Sequence, residues 1–122
     1  MALLAAHGER ARPLAGGTDL LVQMRRDLLA PELLVDVKRI GDLNRISVGP
    51  DGGLSIGAAV PLALLCEHAD VARRYPGLVD AISLIGGTAI QARATLGGNL
   101  CNAAPSADSV PALIVLGASC AI

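Results

Sequence analysis

Two short segments of this 122-residue sequence combine glycine with small polar side chains in patterns suited to a phosphorylated ligand. The first is Leu14-Ala15-Gly16-Gly17-Thr18-Asp19-Leu20-Leu21, in which a predicted strand passes through two glycines into a predicted helix. Backbone N–H groups approach a diphosphate closely where no Cβ intervenes. Thr18 could add a hydroxyl donor, whereas Asp19 is expected to cap the helix. A plain strand-to-helix turn, with glycine present only for conformation, explains this segment as well. Its spacing matches neither the Rossmann glycine motif nor the P-loop.

The second segment runs from Thr95 to Asn102 and holds one Thr, two Gly and two Asn. It has no clear period and is predicted to be a polar loop between apolar helices. Polar groups are costly to bury unless they are paired, and Asn99 and Asn102 can both donate and accept hydrogen bonds. An ordered loop that satisfies its own backbone is the alternative. Farther on, Asp108 or Ser109 is expected to cap the last helix, although the Asp108 carboxylate could equally accept from a sugar hydroxyl.

The elements around these segments fall into two groups. A helix ending at Gly8 is followed by a strand over 12–15, a helix ending at Ala30-Pro31, and a strand over 32–37, which together form a βαβ-like unit. A hairpin is then predicted, with strands over 46–48 and 54–56. Helices follow from Pro61 and Pro76, and the last residues, 118–122, resemble a strand. The buried helix faces are expected to present Leu20, Leu21, Met24 and Leu28; Leu62, Leu65 and Ala69; and Leu78, Val79, Ile82 and Ile85.

Composition excludes several function classes. The formal net charge of −1 leaves no basic surplus for nucleic-acid binding. The dispersed arginines are expected on a solvated surface. The longest apolar stretch, 110–122, is shorter than the roughly 20 residues of a membrane span. Three cysteines without a C-x-x-C pair indicate reduced thiols and a cytoplasmic location, with Cys101 as a small buried residue.

No residue set for acid–base, nucleophilic or metal chemistry is evident. His7 and His68 lie on predicted helices away from both glycine segments, so we expect them on the surface or at helix ends. Ser106 and Ser109 have no histidine near them in the sequence. Tyr75 is the one aromatic residue, so recognition must rely on backbone groups and small polar side chains. We therefore predict no catalytic residue and no metal site.

The two motifs together, "LAGGTDLL" and "TLGGNLCNAAPSADSVPAL", resemble the FAD-binding domain of the molybdopterin dehydrogenase medium subunit. This PCMH-type family includes the flavoprotein chains of xanthine and carbon monoxide dehydrogenases. The resemblance extends over essentially the whole chain, but family members are longer. It implies an α+β fold in two subdomains with FAD between them. Residues 1–42 would be an N-terminally incomplete first subdomain, and 43–122 a C-terminally incomplete second one.

The resemblance also implies the residues that contact a non-covalent FAD. The first motif would wrap the diphosphate through backbone amides, and the second would hold the phosphate and ribityl region. Ile85 stands where relatives often carry a bulkier residue against the cofactor. The implied set is Leu14, Ala15, Gly16, Gly17, Thr18, Asp19, Leu20, Leu21, Ile85, Thr95, Gly97, Gly98, Asn99, Asn102 and Asp108.

The implied activity is electron transfer by a flavin-dependent oxidoreductase, without bond-making by side chains. Electrons would arrive from a molybdopterin centre through 2Fe–2S clusters and leave to NAD or another acceptor. The iron–sulfur and molybdenum subunits of a heterotrimer would be the partners. A nucleotide-binding module without redox activity and a non-functional fragment are the alternatives.

Overall fold

The computed structural model describes residues 2–121 of the chain. Its strands are β1 (Ala11–Leu14), β2 (Leu33–Asp36), β3 (Ile46–Val48) and β4 (Leu54–Ile56). Its α-helices are α1 (Ala2–His7), α2 (Leu20–Arg25), α3 (Leu62–Glu67), α4 (Ala69–Arg74), α5 (Pro76–Ser83), α6 (Thr88–Gln91), α7 (Leu96–Asn102) and α8 (Ser109–Val115). Helices and strands are mixed without a regular alternation along the chain, so the fold is α+β, as the family resemblance implies.

The predicted βαβ unit is present at the N-terminal end. Strands β1 and β2 pair in parallel, with Pro13 opposite Val35, and α2 lies between them in the sequence. Pro13 is tolerated because β1 pairs with β2 alone, so no other strand requires its missing N–H. The arrangement delivers the chain from the end of β1 through Gly16 and Gly17 into α2.

Helix α2 is shorter than predicted. It ends at Arg25 instead of at Ala30-Pro31, because Asp27 adopts a left-handed conformation with φ of 55°. The amides of Asp27 and Leu28 donate to the carbonyls of Met24 and Gln23 at 3.1 and 2.9 Å, which is a Schellman termination. Leu28 therefore leaves the predicted buried face and is 64% exposed.

The hydrophobic core lies entirely after residue 42. The predicted hairpin is confirmed, with β3 and β4 antiparallel and Gly52 at φ of 85° in its turn. The Tyr75 hydroxyl donates to the Gly52 carbonyl at 2.6 Å and fixes this turn against the helices. The buried core consists of Val60, Leu62, Leu65, Leu78, Ile82, Ala94 and Leu96. Among residues 2–42, only Ala11 is buried, so the βαβ unit has almost no core of its own.

Two predicted helix faces are only partly correct. Leu62 and Leu65 are buried as expected, but the helix from Pro61 ends at Glu67, so Ala69 starts α4 and is exposed. In α5, Leu78 and Ile82 are buried and Val79 is only partly buried, whereas Ile85 is partly buried but lies beyond the end of the helix at Ser83.

The segment from Thr95 to Asn102 is not a loop, as predicted, but helix α7. Thr95 caps it, and the two glycines are accommodated inside its first turn. The predicted C-terminal strand is also wrong within the described residues, because 118–121 form no strand. Gly117, at φ of 63°, ends α8, and the Ala118 amide donates to the Leu113 carbonyl at 2.9 Å. Ile122 lies outside the described residues.

We propose a division of the chain at residue 42 into a first unit (2–42) and a second unit (43–121). Asn44 donates to the carbonyls of Lys38 and Ile40 at 2.6 and 2.9 Å, so the junction is well ordered. Outside the junction, Gln23 and Asn102 make the one hydrogen bond between the units among residues 2–121.

None of the helices formed by residues 2–121 has the length and apolar character that a membrane-spanning segment requires.

Candidate functional site

The two glycine segments meet across a cavity of about 620 Å³. One wall is formed by the turn between β1 and α2, and the other by helix α7. A smaller cavity of about 290 Å³ adjoins it. The two cavities share Thr18, Asp19, Ile85, Asn99 and Asn102. A combined volume of this order is typical of ligand sites for sizeable small molecules.

The missing side chain of Gly16 allows the walls to meet. A Cβ at this position would lie 2.3 Å from the Arg93 carbonyl oxygen and 2.8 Å from the Ala94 Cα. Both neighbours are backbone atoms, which cannot rotate away. Gly97 has a similar role within the second unit, because its Cβ would lie 2.6 Å from the Ala58 carbonyl oxygen. These glycines are therefore required for packing, in addition to any role towards a ligand.

The first wall presents unpaired N–H groups. Among residues 2–121, the amides of Gly16, Gly17, Thr18 and Asp19 donate to no protein oxygen. Gly17 has φ of 77°, a conformation that side chains disfavour and that turns consecutive amides together. Backbone donors without partners must find water or a ligand. The turn is thus chemically suited to an anion.

Asp19 stands at the N-cap position of α2, but the capping hydrogen bond predicted for its carboxylate is absent. Asp19 makes no side-chain hydrogen bond to the helix and instead lines both cavities as an exposed carboxylate. The predicted cap by Asp108 is wrong for the same reason, and this carboxylate lines the smaller cavity. Both acids therefore offer hydrogen-bond acceptors at the site.

The second wall is organised by Thr95. Its side chain is 2% exposed, and its Oγ1 accepts from the Gly98 amide at 3.0 Å, which caps helix α7. The Asn99 amide donates to the Thr95 carbonyl at 2.9 Å. The Gly98 amide is thus already paired inside the protein. Gly98 lines the cavity, and a Cβ at this position would lie 2.8 Å from Thr95 Oγ1, so the glycine leaves room for the cap.

Two asparagine side chains of α7 face the cavities with their oxygens already engaged. Asn99 Oδ1 accepts from the hydroxyl of Ser109 at 2.5 Å, and Ser109 is completely buried. Asn102 Oδ1 accepts from Gln23 Nε2 at 3.2 Å. Their NH₂ groups make no hydrogen bond within residues 2–121. Each carboxamide therefore offers the site a donor.

The structure brings the predicted site residues together with one exception. Leu21 lines neither cavity and is 46% exposed on the outer side of α2. Ile85 lines both cavities and also packs against the core. The sequence analysis missed Arg12 and Gln23, which line the larger cavity, and Ser106, which lines the smaller one. Gln23 follows Leu20 by one helical turn, and this spacing is the signal that could have identified it.

The cysteines and histidines differ in their relation to the two cavities. Cys101 is exposed and lines the larger cavity, so the expectation of a buried residue is wrong. Partial burial raises the pKa of the Cys66 thiol, with a smaller contribution from the Glu67 carboxylate. His7 and His68 line neither cavity. Within the described residues, no group of three or more His, Cys, Asp or Glu side chains is placed to hold a metal ion.

Comparison with known proteins places this site in context. Residues 1–122 match the family described as the FAD binding domain in molybdopterin dehydrogenase. The xanthine dehydrogenase FAD-binding subunit of Escherichia coli O157:H7 is 41% identical over 112 residues, which cover 91% of this chain and 38% of that protein. The carbon monoxide dehydrogenase medium chain of Afipia carboxidovorans is 37% identical over 120 residues, covering 98% of this chain and 41% of that one.

Solved structures give the same result. Reconstituted CO dehydrogenase from Oligotropha carboxidovorans superposes with a TM-score of 0.83 at 38% identity, over 88% of this chain and 37% of that one. Quinoline 2-oxidoreductase from Pseudomonas putida 86 superposes with a TM-score of 0.75 at 34% identity, over 81% of this chain and 34% of that one. The chain thus spans about two fifths of the length of the curated relatives described above.

Proposed function

The chain belongs to the family of FAD binding domains in molybdopterin dehydrogenases, and from this premise we propose that it holds FAD non-covalently between its two units. The observation that supports this proposal most directly is the row of unpaired amides from Gly16 to Asp19 in the wall of a large cavity. A diphosphate is the part of FAD that such donors recognise. A volume of about 620 Å³ with an adjoining 290 Å³ suits an extended dinucleotide.

The residues divide by the chemistry they offer. The amides of 16–19 and the hydroxyl of Thr18 would hold the diphosphate. The NH₂ groups of Asn99 and Asn102 would donate to phosphate or flavin oxygens farther along the cavity. The carboxylates of Asp19 and Asp108 line the smaller cavity, where they would accept from sugar or ribityl hydroxyls. Ile85 would provide an apolar contact, and Gly98 would contact the ligand through its backbone.

Bound FAD would supply the redox chemistry, because it accepts and releases electrons either singly or in pairs. The task of the protein is to bind and orient the cofactor and to shield it from water. We propose that the chain serves as the flavin-carrying part of a dehydrogenase whose 2Fe–2S and molybdopterin centres lie on other subunits of a heterotrimer. The flavin would pass its electrons to NAD or to another acceptor.

An FAD titration of the purified protein, followed by flavin fluorescence, tests the proposal. We expect the purified protein, titrated with FAD, to quench flavin fluorescence with a saturable midpoint and to release unmodified flavin on acid precipitation. A colourless protein that binds ADP but not FAD would support the nucleotide-binding module instead. A folded protein that binds neither ligand would contradict the proposal and favour a non-functional fragment.

A matched pair of charge substitutions tests the site. Thr18→Glu places a carboxylate in the cavity wall, whereas Leu21→Glu places one in the same segment outside both cavities. Both acids lie near the start of α2, where a negative charge favours the helix. We expect Thr18→Glu to weaken FAD binding about tenfold or more through charge repulsion, and Leu21→Glu to change it little. Equal effects of both substitutions would contradict a diphosphate site at this turn.

A further inference from the structure

Gln23 lies where the two units come closest through side chains. Its Nε2 donates to Asn102 Oδ1 at 3.2 Å, across 79 residues of sequence, and both side chains are partly buried. Gln23 belongs to α2 in the first unit, and Asn102 is the last residue of α7 in the second. Both residues line the larger cavity. The hydrogen bond therefore spans the cavity from one wall to the other.

Little else holds the first unit in place. Among residues 2–42, only Ala11 is buried, so the first unit shares almost no apolar core with the second. Outside the junction at residues 38–45, the Gln23–Asn102 pair is the one hydrogen bond between the units, and no ion pair joins them there, within residues 2–121. The turn at Gly16 touches the Arg93–Ala94 backbone, and this van der Waals contact sets the closest approach of the two units.

We infer that Gln23 is a positioning residue for the cofactor cavity, acting as a clasp between its walls. The clasp has two effects. It keeps the amide-bearing turn at a fixed distance from α7, and it occupies Asn102 Oδ1 so that the NH₂ group of Asn102 stays available to the ligand. This inference rests on the proposed function for its ligand, but the clasp itself is a property of the ligand-free protein.

Loss of the clasp lowers the fraction of molecules whose walls are correctly spaced. The apparent dissociation constant rises in inverse proportion to that fraction. A single net hydrogen bond of ordinary strength corresponds to roughly a 3- to 10-fold change in an equilibrium constant. The effect should therefore be moderate and should appear in FAD affinity before it appears in global stability.

The test uses Gln23→Met, which keeps the length and helix propensity of the side chain but removes the donor. The control is Gln91→Met, since Gln91 also loses a hydrogen bond, to the Ser83 carbonyl at 2.8 Å, but within the second unit alone. We expect Gln23→Met to raise the dissociation constant for FAD roughly 3- to 10-fold, with a thermal midpoint no lower than that of the control. An unchanged FAD affinity, or a loss that only parallels the thermal midpoint as in the control, would overturn the inference.

Amide hydrogen exchange in the ligand-free protein separates this inference from the proposed function. We expect Gln23→Met to speed exchange at residues 21 and 23–25, whose amides are hydrogen-bonded at the start of and within α2, by about the same 3- to 10-fold, with the second unit unaffected. Gln23→Lys, which retains a donor on a flexible stem, should restore slow exchange. If wild-type protein fails to bind FAD, the proposed function is contradicted. The exchange rates of the ligand-free protein still show whether the Gln23–Asn102 clasp holds the two walls together. Unchanged exchange in Gln23→Met would exclude the clasp whether or not FAD binds.

Discussion

Replacement of Gly16 by alanine should separate the walls of the cavity. The added methyl would lie 2.3 Å from the Arg93 carbonyl oxygen, whereas ordinary contacts of a Cβ begin at 3.4 Å. The Ala94 Cα, at 2.8 Å, blocks the adjacent direction. Because both neighbours belong to the backbone, the turn must move by about 1 Å, and overpacking of this kind costs about 1–3 kcal/mol.

The free-energy cost of this clash can appear either as lower stability of the folded protein or as weaker FAD binding, and each effect has its own assay. If the turn stays in contact, the free energy of unfolding measured in urea falls by about 1–3 kcal/mol. If the first unit moves away, unfolding changes less and FAD affinity falls about tenfold for each 1.4 kcal/mol that separation costs. The sum of the two losses is the quantity to compare with wild type.

Gly77→Ala is the matched control. Gly77 lies in α5, and a Cβ there would meet nothing within 4 Å. The same substitution should therefore stabilise the protein by roughly 0.5–1 kcal/mol, because alanine loses less backbone entropy in a helix. If Gly16→Ala is as stable as Gly77→Ala and binds FAD as well as wild type, the close approach at Gly16 does not exist and the reasoning is refuted.

Three further predictions concern separate parts of the site. Thr95→Val should lower the free energy of unfolding by about 1 kcal/mol, because the cap on the Gly98 amide is lost; Thr95→Ser, which keeps the hydroxyl, should lose clearly less. The hydrogen bond from the Lys38 amide lowers the pKa of the Asp36 carboxyl, and the Lys38 ammonium lowers it further. The ionised carboxylate therefore stabilises the fold above the ordinary carboxyl pKa, and this stabilisation is lost as the pH falls through the lowered pKa. Urea midpoints measured down through the carboxyl range should therefore fall less steeply in Asp36→Asn, and identical slopes would count against this assignment. Cys101 should react with a thiol reagent faster than Cys66, whose pKa is raised by burial, and FAD should slow the reaction of Cys101; labelling of Cys101 that is indifferent to FAD would place the cofactor elsewhere.

Local patterns in the sequence identified the elements that depend on neighbouring residues. The βαβ unit, the hairpin around Gly52 and the buried pair Leu62 and Leu65 all follow from short-range periodicity and turn chemistry. The same patterns failed where a helix ended early. Asp27 terminates α2 in a left-handed conformation that an aspartate adopts only infrequently, and the sequence offers no glycine there to indicate it.

The segment from Thr95 to Asn102 shows a second limit. Two glycines and two asparagines disfavour a helix locally, yet the segment is helical. Its Thr95 cap, the close fit of Gly97 on Ala58 and the Ser109–Asn99 hydrogen bond offset that local preference. The fit of Gly97 on Ala58 joins residues far apart in the sequence, and the Ser109–Asn99 hydrogen bond joins two different helices, so local helix preference reveals neither.

The sequence by itself determined which residues could serve a phosphorylated ligand and, through the paired motifs, the family to which the chain belongs. Only the tertiary structure decided that the two motifs face one cavity, that the carboxylates of Asp19 and Asp108 make no capping hydrogen bond, and that Gln23 and Asn102 join the walls. The physical reason is that the composition of a motif is a local property, whereas the width of a cavity is set by contacts between backbone segments that are far apart in the sequence. At Gly16 that distance is set by the missing Cβ against Arg93 and Ala94.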